Sequence, residues 1–454
     1  MTSRAFVEFW QTDLTRRCLL SYLAPRDLKT LRLTCLEFAL DVGPELFAEL
    51  GLEFNPNVFS RHGRMVALER VGGYVKTLSF RLPHSSTTFL SPLIAPDTLD
   101  EVNFLYEPHV VSPRPSSSSS VSSGSRYGDD EISDLLVKHY PPLFHAATNI
   151  TAFTRAILAL PNLKTVKISC PNQRPGQRYR KSVVDYALTS LRVALEQVNP
   201  PALETLVLDP IHPGALQHLR PLSSFGASPA STRVWRRIKR LTIQMDSFEY
   251  GRDLPSDHLK FLHTYLQTFV SLEHLDFTWL RGQGPCPLSL DAEPSTCRPA
   301  SLECGNTCPK TAAVPSCKPI KFRHLKSMHV RNAILDASQA ASFIVLHRKV
   351  LHEFSFDQCQ LRSGTWDDAL APLSRLAGNE DWKRGHEEVT MDVPLVLSPE
   401  EKPQTDLVLL SQLWGDSQGK HRGLDTLKKL GVRTRELLPS YLHRLLRSAR
   451  LGWR

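Results

Sequence analysis

The chain has 454 residues, of which 41% are hydrophobic and 22% are charged, and its formal net charge is +9. No apolar run approaches the roughly 18 residues that a membrane-spanning helix needs. Nine cysteines in so long a chain do not form the dense disulfide framework of small secreted proteins. We therefore expect an intracellular protein of the cytoplasm or nucleus, with reduced thiols and no membrane partner.

Two short amphipathic helices are predicted near the N-terminus. Pro25 suits the first turn of the second helix, where its missing N–H costs nothing, and Asp27 places negative charge at that positive helix end. Helices this short bury little surface alone, so they need the rest of the chain or a partner. The apolar residues recur at helical spacing in two groups: Leu19, Leu20 and Leu23, then Leu28, Leu31, Cys35 and Phe38.

This segment resembles an F-box. The resemblance is carried by Leu20-Ser21-Tyr22-Leu23, Pro25-Arg26-Asp27-Leu28 and Leu31-Arg32-Leu33-Thr34-Cys35, whereas Gln11-Thr12 replaces the usual leading Leu-Pro pair. It implies docking on a Skp-type linker subunit. The alternative is an ordinary helical hairpin that caps a larger core. The contacts that the resemblance implies are Leu19, Leu20, Leu23, Pro25, Leu28, Leu31, Leu33 and Cys35.

A phrase of the pattern apolar-x-x-apolar-x-apolar is repeated at irregular intervals, and its later positions alternate as in a β-strand. It resembles the strand of a leucine-rich repeat, and Cys170 and Cys359 lie near the place of the cysteine that closes such repeats. The competing interpretation is an α/β domain with a parallel sheet. The copies begin at Val75, Leu99, Leu163, Leu203, Ile238, Leu272, Leu325 and Leu351.

Helical patterns follow several of these predicted strands. The periodicity predicts helices from about Ser182 to Val198, from Ser256 to Phe269, and from Asp336 onward. A strand, a helix and then a similar strand are typical of a stacked solenoid, in which each unit covers the apolar face of the next. We expect an α/β fold in the form of an irregular leucine-rich-repeat-like solenoid.

Two segments interrupt the repeats and are expected to be disordered insertions, at about 108–130 and 282–319. The first includes the serine-rich run from Ser112 to Ser125. The second contains Cys304 and Cys308, whose separation approaches that of paired zinc ligands. The other cysteine intervals match no zinc module, so we expect no bound metal and no cofactor. The possible ligands in and beside this segment are Cys286, Cys297, Cys304, Cys308, Cys317 and His324.

The positive charge is concentrated at the C-terminal end. Residues 419–454 contain ten Lys or Arg and two acidic residues and carry +8, so the rest of the chain is close to neutral. A field suited to nucleic acid is therefore not expected over the whole protein. A basic amphipathic helix is predicted over Arg433–Arg450. It could meet a membrane surface or an acidic partner, but a terminal cap of the repeats is the favoured interpretation.

Phosphate-binding, metalloprotease and nucleophile-elbow motifs are absent from the sequence, so we expect no enzymatic activity. A catalytic site assembled from distant residues is the minor alternative. The predicted domains are an F-box-like helical domain (1–50), a leucine-rich-repeat-like domain (51–400) and a helical basic cap (401–454).

Taken together, these features resemble a fungal-type F-box protein. That resemblance implies a substrate-recruiting adaptor of a cullin-RING (SCF-type) ubiquitin ligase. Its partners would be the Skp-type linker, the cullin scaffold and an unknown protein substrate. The alternative is a non-catalytic repeat scaffold or protein-binding module without ligase association.

Overall fold

The computed structural model describes residues 4–95, 98–102, 104, 106, 130–173, 180–221, 226, 231–247, 256–288 and 320–377. The chain divides into two compact units, Met1–Leu325 and Lys326–Arg454. Most of both predicted insertions lies outside the described residues, and so does the whole predicted C-terminal cap at 401–454.

The first unit begins with the predicted helices. Its helices α1 to α4 span Arg4–Gln11, Asp13–Tyr22, Pro25–Arg32 and Leu36–Leu46. Pro25 occupies the first turn of α3, as predicted, and Asp27 lies in the same turn.

The predicted second apolar stripe does not continue along one helix. α3 ends at Arg32, and Cys35 is the N-cap of α4, where its Sγ accepts a hydrogen bond from the Phe38 N–H at 3.5 Å. The two parts of the stripe therefore lie on different helices, because a side-chain cap at Cys35 starts a new helix where the periodicity alone predicts continuation.

A parallel sheet follows, with its strands paired in chain order. The five strands that match copies of the phrase at Val75, Leu163, Leu203, Ile238 and Leu272 each begin two residues after the first apolar position of the copy. Equivalent positions therefore pair across the sheet: Thr77, Thr165, Thr205, Arg240 and His274. The fold class is therefore α/β with a parallel sheet. The strands are β1 (Glu49–Glu53), β2 (Thr77–Arg81), β3 (Thr165–Ser169), β4 (Thr205–Ile211), β5 (Arg240–Asp246) and β6 (His274–Leu280).

Alternate residues of these strands are buried, which places one face of the sheet in the core. The helices of this unit are α5 (His62–Val71), α6 (Asp130–His139), α7 (Pro142–Ala147), α8 (Ile150–Leu158), α9 (Val183–Val198), α10 (Ala215–Leu219), α11 (Thr232–Trp235) and α12 (Ser256–Leu266). The predictions of α9 and α12 are confirmed, and Ser182 caps α9 by accepting from the Val184 N–H. The short strand β7 (Gly284–Pro285) follows β6, and the described part of this stretch ends at residue 288.

The copy of the phrase at Leu99 is not a strand, so that prediction is wrong. Leu99 has a φ of 58° and is exposed, and a single antiparallel bridge joins Glu101 to Ile94. A left-handed residue at the first position turns the chain back on itself and prevents an extended run. Conversely, the sequence interpretation missed β1, because its alternating residues Glu49 and Glu53 are charged and it lacks the phrase.

The second unit contains β8 (Ser327–Arg331), β9 (Ala333–Asp336), α13 (Ala337–His347), β10 (Glu353–Asp357), β11 (Gln360–Ser363) and α14 (Trp366–Ala377). β8 pairs in parallel with β10, and β9 with β11, so the copies at Leu325 and Leu351 are confirmed as strands. Asp336 starts the predicted helix α13 through a capping box with Gln339. Its carboxylate also accepts hydrogen bonds from Arg362 at 2.6 Å and Ser363 at 2.7 Å, which hold the pKa of Asp336 below its usual value.

Candidate functional site

The N-terminal helices enclose a small apolar cluster of their own, formed by Trp10, Leu20, Leu28 and Val42. The indole of Trp10 donates to Asp41 Oδ2 at 2.8 Å, and its ring lies 4.4 Å from that of Phe38. Because Trp10 is on α1 and its partners are on α4, the four helices form one unit instead of two separate short helices.

The residues predicted to bind a linker subunit all belong to these helices, but they face different ways. Leu20 and Leu28 are buried inside the cluster, with exposed fractions of 2% and 6%. The half-buried side chains that pack against the cluster are those of Leu19, Leu23 and Leu31. The exposed members of the predicted set are Pro25, Leu33 and Cys35.

Four large exposed apolar side chains on α2 to α4 were missed by the sequence interpretation, those of Leu14, Tyr22, Leu36 and Leu40, and they accompany the predicted Leu33. We define the exposed apolar surface as Leu14, Tyr22, Leu33, Leu36 and Leu40. Tyr22 and Leu33 are 84% and 85% exposed, and Leu14 and Leu36 exceed three quarters as well. The signal for this surface is visible in the sequence, because Leu14 and Tyr22 are eight residues apart and share one side of α2 with Cys18.

Charged side chains on α2 and α3 accompany the exposed apolar surface. Asp13 forms ion pairs with Arg16 at 2.8 Å and with Arg17 at 3.1 Å. Arg26 and Lys29 project from α3 and are exposed. Apolar contacts flanked by charges are typical of a protein-docking surface, in which burial of the apolar part supplies affinity and the charged rim supplies specificity.

Helix α4 fixes this cluster to the sheet of the first unit. Gly43 of α4 lies so close to Tyr74 that a Cβ at this position would be 3.2 Å from the ring. The Ala48 carbonyl, just after α4, accepts from the N–H groups of Lys76 and Thr77 at 2.8 and 2.9 Å. The exposed apolar surface is therefore held at a defined position relative to β2.

Substitution of Leu20 by alanine is expected to destabilise the helical cluster by about 2–3 kcal/mol, because it removes a buried side chain from a cluster too small to collapse around the cavity. Hydrogen exchange of the α2 and α3 amides would report this loss. Leu14→Ala is the matched control on the same helix, since its side chain is 79% exposed, and we expect little change there. Equal loss of protection in both variants would contradict the described cluster.

Across the described ranges, no group of three or more His, Cys, Asp or Glu side chains could hold a metal ion. Of the insertion cysteines, Cys286 is described and buried, whereas Cys297, Cys304, Cys308 and Cys317 lie outside the described residues. No helix in the described part of the chain is long and apolar enough to cross a bilayer.

Comparison with known proteins gives no family for this chain. No protein-family model matches the sequence. No curated protein matches it with significant similarity. A functional conclusion therefore depends on the motif residues and on the geometry of α1 to α4.

Proposed function

We propose that the chain is a substrate-recruiting adaptor of a cullin-RING (SCF-type) ubiquitin ligase, and that α1 to α4 bind a Skp-type linker subunit. The proposal begins from the F-box-like phrases between Leu20 and Cys35. The observation that carries it is the exposure of Tyr22, Leu33 and Leu36 on helices that already have a closed apolar cluster beneath them. These side chains contribute nothing to that cluster, so a partner would explain their apolar character.

The energetics are compatible with a stable complex. Complete burial of one leucine side chain contributes about 1.5–3 kcal/mol. The five members of the exposed apolar surface, buried together, would contribute about 7.5–15 kcal/mol, from which an association cost of about 4–15 kcal/mol is subtracted. The most favourable net value, about 11 kcal/mol, exceeds the roughly 8 kcal/mol of a micromolar complex. Leu33 and Leu36 are three residues apart where α4 begins, so they are the natural centre of such a contact.

The sheet-containing part of the chain would recruit the protein substrate. In support, β2 to β6 repeat one phrase and pair in one register over their first four residues, as the units of a leucine-rich-repeat-like solenoid do. We propose that this irregular solenoid presents the substrate-binding surface. The adaptor would perform no chemistry itself, because its role is to raise the effective concentration of the substrate beside the ubiquitin-carrying enzyme.

A binding experiment with purified linker subunit tests the proposal. Leu33→Asp is expected to weaken linker binding at least 100-fold without lowering the melting temperature, since its side chain is 85% exposed. Leu158→Asp is the matched control, because Leu158 is 61% exposed on α8 and lies outside the N-terminal helices. We expect wild-type affinity for this control.

Failure of the wild-type chain to bind any purified Skp-type subunit would refute the adaptor function. The N-terminal helices would then be a structural cap of the repeats, a role that the packing of Gly43 on Tyr74 also allows. Affinity purification of the full chain followed by mass spectrometry would identify the linker and the substrate in the same experiment. Recovery of a substrate without linker or cullin would favour the non-catalytic scaffold.

A further inference from the structure

A cluster of histidines lies at the carboxyl ends of β2 and β4, the two strands that flank β3 in the first unit. His84 follows β2, and His212 follows β4. The segment that follows β3 lies between these two and is hydrogen-bonded to both. The His84 N–H donates to the Pro171 carbonyl at 2.8 Å, and the Cys170 N–H donates to the Pro210 carbonyl at 2.8 Å. Residues more than 120 positions apart in the sequence therefore meet at one edge of the sheet.

One carboxylate lies close to two histidines of this region. Asp185, in the first turn of α9, lies 3.8 Å from His212 Nε2 and 3.5 Å from His218 Nε2. Burial raises the pKa of Asp185. His258 lies beside His212, because a Cβ placed on Gly214 would be 3.1 Å from one ring and 4.0 Å from the other.

His84 has a different environment from the other histidines. Its side chain is only 3% exposed, and neither ring nitrogen has a hydrogen-bond partner among the described residues. The ring stacks on Phe89 at 5.8 Å and meets His212 edge-on at 5.1 Å. His212 is the titratable group in contact with His84, and the next charged or titratable groups lie against its two ring neighbours: Arg180 over Phe89, and Asp185 and His258 beside His212.

A proton on His84 would be poorly accommodated in this environment. Asp185 already faces His212 and His218, and Arg180 lies over the Phe89 ring at 5.5 Å. A cationic imidazole would therefore have an aromatic ring and another imidazole as neighbours, and it could be hydrated only by leaving the site. This burial lowers the pKa of His84 to about 4.

We propose that His84 is an acid-sensitive latch, whose protonation releases residues 82–90 from the carboxyl ends of β2 to β4 while the rest of the unit stays folded. Four hydrogen bonds between described residues oppose this release. The N–H groups of Leu82, His84 and Leu90 donate to the carbonyls of Ser169, Pro171 and Lys181 at 2.9, 2.8 and 2.9 Å. Ser182 Oγ donates to the Thr88 carbonyl at 3.3 Å. We therefore expect the segment to open as a small cooperative unit, at a lower free energy than the unfolding of the whole unit requires.

The sign of the effect follows from proton linkage. The histidine in the closed segment has a pKa of about 4, and in the open segment it has the ordinary value of about 6.5. The closed form is therefore most stable above pH 6.5, and it loses stability as the pH falls toward 4. Between pH 7.5 and pH 5.0 the opening equilibrium is expected to rise about 30-fold.

Hydrogen exchange of the full chain, corrected for the intrinsic pH dependence of exchange, tests the latch. We expect the amides of residues 82–90 to lose protection about 30-fold at pH 5.0 relative to pH 7.5. His84→Phe and His84→Gln should abolish this pH dependence. His62→Gln is the matched control at an exposed histidine and should behave as wild type.

Two results would overturn the latch. One is an equal pH response in wild type and both His84 variants, and the other is simultaneous loss of protection throughout β2 to β6. If neither variant folds, direct NMR titration of the His84 imidazole in the wild-type chain decides the matter. A pKa below 5 supports the latch, whereas a pKa near 6.5 rejects it.

Discussion

Replacement of Glu196 by alanine is expected to destabilise the first unit by about 3–5 kcal/mol, the range that applies when one partner of a buried ion pair is removed. Arg192 and Glu196 are one turn apart on α9, and their side chains are 0% and 4% exposed. The carboxylate accepts from Arg192 Nη1 at 3.1 and 2.9 Å and from the indole of Trp235 at 2.8 Å. Without it, a guanidinium would remain buried without its counter-charge.

Burial opposes the charged form of both partners. It raises the pKa of Glu196 and lowers the pKa of Arg192, whereas their mutual attraction acts in the opposite direction for each. The pair is therefore costly to break and not necessarily stabilising as a whole. We expect the double variant Arg192→Met with Glu196→Leu to recover most of the stability that Glu196→Ala loses.

Urea denaturation would measure both effects as shifts of the transition midpoint. The shifts report stability when the dependence of the unfolding free energy on urea concentration has the same slope in each variant. Glu204→Ala is the matched control, because Glu204 forms an exposed ion pair with Lys239 at 3.3 Å. Such pairs contribute less than about 1 kcal/mol. A loss below 1 kcal/mol for Glu196→Ala would show that the buried network is not formed as described.

Gly72→Ala is the second substitution with a large expected effect, a destabilisation of about 3 kcal/mol or more. A Cβ at Gly72 would lie 1.8 Å from the Ala159 carbonyl oxygen and 2.9 Å from its carbon. Both of these atoms belong to the backbone at the end of α8, so no side-chain rotation relieves the contact. The turn before β2 and the end of α8 would have to separate.

The neighbouring residue provides a close control. Gly73 has nothing within 4 Å of its ideal Cβ position, so Gly73→Ala should leave the melting temperature almost unchanged. Thermal unfolding of wild type and both variants under the same conditions would measure the two changes in melting temperature. Equal melting temperatures for Gly72→Ala and Gly73→Ala would contradict the close approach of α8.

Local signals in the sequence predict the strands well. The repeated phrase correctly locates β2 to β6, β8 and β10, because a strand places alternate residues on opposite faces and only one face is apolar here. Its failure at Leu99 arises from a left-handed backbone conformation that apolar spacing does not encode. The missed strand β1 obtains its hydrogen bonds from β2, a contact that its own charged residues do not indicate.

The helical site was predicted less completely. Motif residues identify which helices to consider, but they do not distinguish Leu20, which is buried, from Leu33, which is exposed. That distinction depends on Trp10 and Val42, which enter the cluster from α1 and α4. Periodicity within one short helix cannot reveal which of its sides a separate helix will cover.

The alternation of strands and helices is encoded in local sequence patterns, and so are several helix starts, at Pro25, Ser182 and Asp336. These features depend on residues within a few positions of one another, so local physical chemistry is enough to predict them. By contrast, the exposure of particular apolar side chains on α2 to α4, and the 5.1 Å separation of the His84 and His212 rings, arise only when the chain folds. Burial and ring contacts of this kind depend on residues that are distant in the chain and meet only after folding.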